Sequence, residues 1–238
     1  MKMKKLAALA LVVAMVAVPT FSFAARSTSS STSSSSAVVT TTTQTQTVGT
    51  GTSGTSVPTA TTKVNVAANG TTVSETGTTI DKSGTSIGLV VDTTTSTGTA
   101  VVSNGNGGIT IGTVSVHFAN GEAETAGLPT GVVERINKLN AGTAISEVLG
   151  TETGVDLTGF TALGNTRAVI AADAATGLTH TATEVTMVVD VPAGVEVAAV
   201  YYDNNTGRWV YVPVVVDPIT KTVKLTVPGS CTLQLVKK

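Results

Sequence analysis

Apolar residues follow three different spacings along this chain, and each spacing predicts a different kind of structure. Leu6–Val18 is an unbroken run of thirteen apolar residues ended by Pro19. Between Ser27 and Thr62 apolar positions are scarce, and Ser and Thr fill almost every place. Beyond Lys63 most segments alternate apolar and polar residues with a period near two, the pattern of short strands. One stretch departs from it: Val132, Val133, Ile136 and Leu139 recur at helical spacing, with Pro129 and Thr130 as start signals and Gly142 as a stop. A second, shorter helical turn is predicted in TAISEVLG, with Ile145, Val148 and Leu149 inward and Gly150 ending it.

The predicted strands are Ile109–Ala119, Arg167–Ala172, Glu184–Val191, Val197–Tyr202, Arg208–Val216, Val223–Val227 and Thr232–Val236. In the first, Val114, Val116 and Phe118 share a face. Turn chemistry separates the later ones: DAATG, DVPAG, DNNTG, DPITK and VPGS. Asp opens several of these turns, where its carboxylate can take the N–H two residues on, and Gly closes three in the left-handed region. Upstream, Gly70, Gly77 and Gly84 each begin a similar heptapeptide; the phase slips at Val91 and resumes at Gly98, Gly105 and Gly112. Seven residues suit one short strand and one tight turn. A β-meander and a small β-roll both satisfy that period, and the slip at Val91 favours the meander.

The layout expected is a signal peptide over 1–24, a Ser/Thr-rich linker over 25–62, a Gly/Thr-rich β segment over 63–127, short helices over 128–150 and a C-terminal sandwich over 151–238. The fold class is mainly β: an antiparallel β-sandwich of immunoglobulin-like architecture preceded by the β-repeat. Whether the two β regions share one core is open at this point.

Charge sharpens the picture at the N-terminus. Lys2, Lys4 and Lys5 precede the apolar run, and Ser22 and Ala24 place small residues at −3 and −1 of a cleavage site after Ala24. Thirteen residues fall short of the roughly 20 that a membrane-spanning helix needs, so a cleaved signal and a secreted or cell-surface location are expected, with no membrane span once it is removed. Cleavage leaves eleven basic residues against fifteen acidic ones. That mild negative balance argues against nucleic acid as a partner. The Ser/Thr tract has too little apolar surface to offset the entropy of ordering it, and reads as a stalk, either O-glycosylated or plain. Cys231 is the only cysteine, so stability must come from packing and not from disulfides.

The tail YYDNNTGRWVYVPVVVDPITKTVKLTVPGSCTLQLV resembles the C-terminal β-domain of many exported bacterial proteins of unassigned role, and FANGEAETAGLPTGVVERINKLNAGT is similar to the segment before it in the same group. The resemblance runs from about Val114 to the end. It implies a surface or secreted setting and carries no catalytic residues.

Motifs with a chemical meaning mostly stand in the wrong context. Gly84-Thr85-Ser86-Ile87-Gly88 matches the nucleophile elbow G-x-S-x-G, but no helix pattern follows Ser86. Gly49–Gly54 matches G-x-G-x-x-G inside the linker, without strand or helix to frame it. LPTG at 128–131 reads as a helix start. His117 and His180 lie in different segments and lack companion ligands, so no metal site and no cofactor are expected, and both are read as surface residues. DNNTG lacks the spaced carboxylates of a calcium loop. Cys231 reads as a small buried hydrophobe.

One constellation remains. If Asp203 and Arg208 flank a four-residue turn, Tyr202 pairs with Trp209, and Tyr202, Trp209 and Tyr211 share a face opposite Val197, Tyr201, Val210, Val212 and Val214. Exposed, that aromatic face would be a platform for sugar rings; packed under the helices, it would be core. The leading reading is therefore a non-catalytic structural or interaction module whose partner is a cell-wall or extracellular glycan or another surface protein. A carbohydrate-binding module acting through Tyr202, Trp209 and Tyr211 is the alternative, and a hydrolase ranks last.

Overall fold

A computed structural model describes residues 56–178 and 180–238. The expected signal peptide, the linker up to residue 55 and the glycine motif at 49–54 lie outside the described residues. Over the described residues the chain is mainly β, with two antiparallel sheets and two α-helices, as the alternation predicts.

The Gly/Thr-rich repeat folds as a meander. Strands β1 (Lys63–Val66), β2 (Thr72–Ile80) and β3 (Ser86–Val91) run back and forth in one sheet, and β4 (Thr93–Thr94), β5 (Ala100–Ser103), β6 (Gly108–Ile111) and β7 (Val114–Phe118) do so in the other. All six repeat glycines have positive φ, between 61° and 85°. The slip in the repeat at Val91 now has a cause: Asp92 follows with φ 57°, and this corner carries the chain from one sheet to the other. Gly77 differs from the other five. It sits inside β2 at a bulge, where the register with β3 shifts between Thr76 and Thr79.

Ile109–Ala119 is a hairpin and not the single strand its alternation predicts. Ile111 pairs with Val114 across a two-residue turn with Gly112 at φ 61°. A Gly-X loop of that kind gives the type II′ geometry that matches strand twist. After a 3-10 turn (Gly121–Glu124) come α1 (Thr130–Asn140) and α2 (Ile145–Leu149), close to their predicted bounds. The remaining strands are β8 (Thr161–Ala162), β9 (Arg167–Asp173), β10 (Gly177–Leu178), β11 (Thr183–Val189), β12 (Val197–Asp203), β13 (Arg208–Pro213), β14 (Val215–Asp217), β15 (Thr222–Val227) and β16 (Cys231–Lys237). The strand expected over Arg208–Val216 is broken after Pro213, which has no N–H to donate to a ladder. Its two pieces, β13 and β14, enter different sheets.

One sheet has the order β1-β2-β3-β11-β15-β14; the other has β13-β12-β16-β9-β7-β6-β5-β4, with β10 beside β9 and β8 beside β16. The repeat and the C-terminal strands therefore interleave, because β3 pairs with β11 and β7 with β9. The expected C-terminal sandwich over 151–238 does not close by itself. Leu89, Val116 and Phe118 from the repeat share one core with Met187, Val223 and Leu235. Burying that apolar surface from both halves is what joins them. The linker boundary moves as well: Ser56 and Ile80 exchange backbone and side-chain hydrogen bonds, and Thr59 bridges to Thr78. A second core forms on the far side of the longer sheet, where Val132, Ile136, Leu139, Ile145 and Leu149 of the helices cover Ala198, Val200 and Val236.

Candidate functional site

The β12–β13 hairpin holds the predicted aromatic set, and its turn fixes their register. The Asp203 carboxylate accepts from the Asn205 N–H at 2.9 Å and from the Thr206 hydroxyl at 2.8 Å, and Gly207 closes the turn at φ 69°. Asp203 then pairs with Arg208, Tyr202 with Trp209 and Val200 with Tyr211. Strand alternation puts Tyr202, Trp209 and Tyr211 on one face, as the spacing predicts. The rings of Tyr202 and Trp209 lie 5.6 Å apart at 55°.

That face is not an open platform. Tyr202 is 6% exposed, Trp209 is 2% exposed and Tyr211 is half-buried. The reason is α1: its apolar stripe needs a surface to cover, and the aromatic face of this hairpin supplies it. Stacking of sugar rings on the aromatic faces has no room. What reaches solvent is a cleft of about 500 Å³ lined by Pro129, Gly131, Arg135, Glu152, Arg208 and the edges of Tyr202 and Trp209. Arg135 and Glu152 form an ion pair at its side. The bond from Glu152 raises the pKa of Arg135, so the guanidinium stays charged. The indole Nε1–H of Trp209 is buried with no acceptor.

The other predicted positions are accounted for by packing. Ser86 opens β3 opposite Ile80 and is followed by strand, so the G-x-S-x-G match is no elbow. Its Gly88 serves a close approach instead: a Cβ there would lie 2.5 Å from Glu75 Oε2. Leu128–Gly131 is the start of α1, with Pro129 at the N-cap. His117 is half-buried in β7, not solvated as expected, and burial lowers its pKa; His180 is exposed. Among the described residues no group of three His, Cys, Asp or Glu is placed to hold a metal ion. Cys231 is buried, and desolvation pushes its thiol far above the ordinary range, which makes it a core residue and a poor nucleophile.

Sequence reasoning missed the most elaborate polar cluster. Asp81, in the β2–β3 turn, and Arg167, at the start of β9, form a fully buried ion pair at 3.3 Å. Asp81 Oδ1 accepts from Ser83 N–H at 2.8 Å, Ser83 O–H at 2.5 Å and Thr85 N–H at 3.0 Å, and Oδ2 accepts from Asn165 N–H at 2.6 Å. Arg167 also donates to Thr79 Oγ1 and to the carbonyls of Asn165, Thr166 and Thr85. A positively charged residue heading an otherwise apolar strand, RAVIAA, was the available signal. The cluster lacks an open side and ties the two sheets together. It is structural.

Glu75 is the second buried carboxylate. Desolvation raises its pKa, against bonds from Asn65 and Thr78 and the charge of Lys63. Among the described residues no helix is long and apolar enough to cross a membrane. No protein-family description, curated protein or solved structure matches the chain.

Proposed function

We propose that this is an exported, non-catalytic structural and interaction module of the cell surface or secreted space, and that its partner is a second copy of itself. The N-terminal pattern of Lys2, Lys4 and Lys5, thirteen apolar residues and a small-residue cleavage site supports export. The observation that carries the rest is the pair of edges of the six-stranded sheet. Both edge strands are short and expose valines: Val64 and Val66 on β1 and Val215 on β14 are 61%, 69% and 69% exposed, and Ile219, just beyond β14, is more than half exposed. Edges of isolated domains are normally guarded by charge, proline or a covering loop, because a free row of N–H and C=O groups templates another strand.

The geometry of the sheet supports pairing between copies. Each of its five neighbouring pairs is antiparallel, so β1 and β14 run in opposite directions. A copy shifted along the sheet would present its β14 antiparallel to β1 and continue the ladder, with Lys63 at one edge and Asp217 at the other. Such a contact is head-to-tail and does not close on itself, which suits a structural assembly. The test is sedimentation of the mature chain over a range of concentrations. Concentration-dependent association that disappears in the Val64→Lys, Val66→Lys double variant, with the thermal midpoint unchanged, is expected. A chain that stays monomeric throughout would overturn the reading.

A further inference from the structure

Asparagine is followed by glycine at four places in the described chain: Asn69-Gly70, Asn104-Gly105, Asn106-Gly107 and Asn120-Gly121. In such a pair the glycine nitrogen can reach the asparagine Cγ and close a five-membered ring, because no Cβ on the second residue blocks the approach. Closure needs the glycine N–H released, the carboxamide free to turn and room for the peptide to rotate. The fold withholds at least one of these at three of the pairs. In the β1–β2 turn Gly70 N–H donates to the Ala67 carbonyl at 2.9 Å, and Asn69 Oδ1 accepts from Thr71 N–H at 3.0 Å. Between β5 and β6, Asn104 Oδ1 accepts from the N–H groups of Asn106 and Gly108, and its Nδ2 donates to Ser115 Oγ. Gly105 N–H is also taken, by Ser103 Oγ at 3.2 Å. Asn106 is exposed, but Gly107 after it is buried. The Gly107 carbonyl oxygen would lie 2.3 Å from a Cβ on Gly77, and a Cβ on Gly107 would lie 3.4 Å from the Pro58 carbonyl oxygen. Turning that peptide would displace the β2 bulge.

Asn120-Gly121 meets all three conditions. Asn120 lies where the chain leaves β7 for the 3-10 turn, at the N-cap, with extended backbone (φ −142°, ψ 162°). An asparagine at that position ordinarily accepts a bond from the turn it precedes, but the Asn120 side chain makes none. Gly121 N–H has no acceptor among the described residues, and nothing lies within 4 Å of where a Cβ on Gly121 would stand. Both residues are half-buried, so solvent reaches them. We propose that Asn120 is a site of spontaneous modification, in which the chain deamidates itself through a succinimide. Gly121 N–H gives up its proton and its nitrogen bonds to Asn120 Cγ. The Cγ–Nδ2 bond breaks, and the amide leaves as ammonia with that proton. A solvent water then opens the ring. Addition at Cγ gives aspartate; addition at the Asn120 backbone carbonyl gives isoaspartate, with the main chain routed through the side chain. Either product places a new carboxylate between β7 and α1, and isoaspartate adds a backbone atom there. The site does not depend on the edge pairing proposed above.

The mature chain is held at mildly alkaline pH, native and in urea, and sampled for peptide mapping by mass spectrometry that separates isoaspartate from aspartate. In the native chain, conversion at Asn120 should run at least about tenfold faster than at Asn69, Asn104 or Asn106, the size of effect that one hydrogen bond or packing contact broken beforehand would impose. In urea the four rates should converge, because the fold no longer distinguishes the pairs. Hydroxylamine, which cleaves a succinimide, should cut the native chain after Asn120. Asn120→Gln requires a larger ring and should abolish both the converted peptide and that cut. Equal native rates at the four pairs, faster conversion at any of the other three, no conversion at Asn120, or the same ranking kept in urea would each overturn the assignment.

Discussion

Asp81 and Arg167 meet 3.3 Å apart with both side chains fully buried, one from the last turn of the first meander and the other from the start of β9. Removing one partner would leave a buried charge uncompensated, at a cost of about 3–5 kcal/mol. Asp81→Ala and Arg167→Ala should each lower stability by that amount in denaturant melts. The double change Asp81→Ala, Arg167→Met should recover part of the loss, because an apolar pair needs no desolvation of charge. Full additivity of the single effects would contradict the pairing.

The same pair sets a pH dependence. Burial acts to raise the pKa of Asp81, but the bonds from Ser83, Asn165 and Thr85 and the charge of Arg167 outweigh it, and the net shift is downward. A carboxyl with a folded pKa below its unfolded value adds stability that is complete above the unfolded carboxylate range and is lost as pH falls through the folded value. Acid should therefore lower the stability of the wild type, and Asp81→Asn should flatten that part of the profile. A slope unchanged by Asp81→Asn would remove this residue from the explanation.

Glu75 works in the opposite sense. Desolvation raises its pKa, so the folded state holds the proton to higher pH than the unfolded chain does. Its contribution is favourable at low pH and declines as pH rises from the unfolded carboxylate range through the raised value. Glu75→Gln should raise the thermal midpoint at neutral pH, and the difference should vanish in acid. A lower midpoint at neutral pH would mean that the charged carboxylate is needed where it lies over Gly88.

Local features of this fold were legible in the sequence and long-range ones were not. The repeat glycines, the DNNTG register and both helices follow from φ preferences and apolar spacing within a few residues of each other. The pairings β3–β11 and β7–β9 join segments nearly a hundred or more than fifty residues apart, and no local pattern encodes them. The aromatic face was predicted correctly as a face. Its cover was one of two readings left open, an exposed platform or a core under the helices, because an amphipathic helix states that it needs a partner surface without naming which one. Nothing local marks Asp81 either, because its partner Arg167 is 86 positions away.

Trp209 gives a direct check on that cover. At 2% exposed, its emission should be blue-shifted and resistant to iodide in the mature chain. Trp209→Ala should cost about 3–5 kcal/mol, the range for emptying a large aromatic site in a packed core. Ready quenching by iodide would mean that α1 does not cover the hairpin.

Gly77 and Gly84 are equivalent in the sequence repeat and should respond differently to the same substitution. Both have positive φ, 64° and 82°, so alanine at either pays the left-handed penalty of roughly 1–2 kcal/mol. At Gly84 nothing lies within 4 Å of the added carbon, and the penalty is the whole effect. At Gly77 the carbon would stand 2.3 Å from the carbonyl oxygen of Gly107, where the bulge of β2 meets the β5–β6 turn. That contact is backbone against backbone, so relief requires moving a strand and not a side chain. Gly77→Ala should therefore cost at least roughly twice as much as Gly84→Ala in urea melts. It should also disturb amide exchange at Gly107 and its neighbours, which Gly84→Ala leaves alone. Equal costs for the two would show that the bulge does not press against the β5–β6 turn.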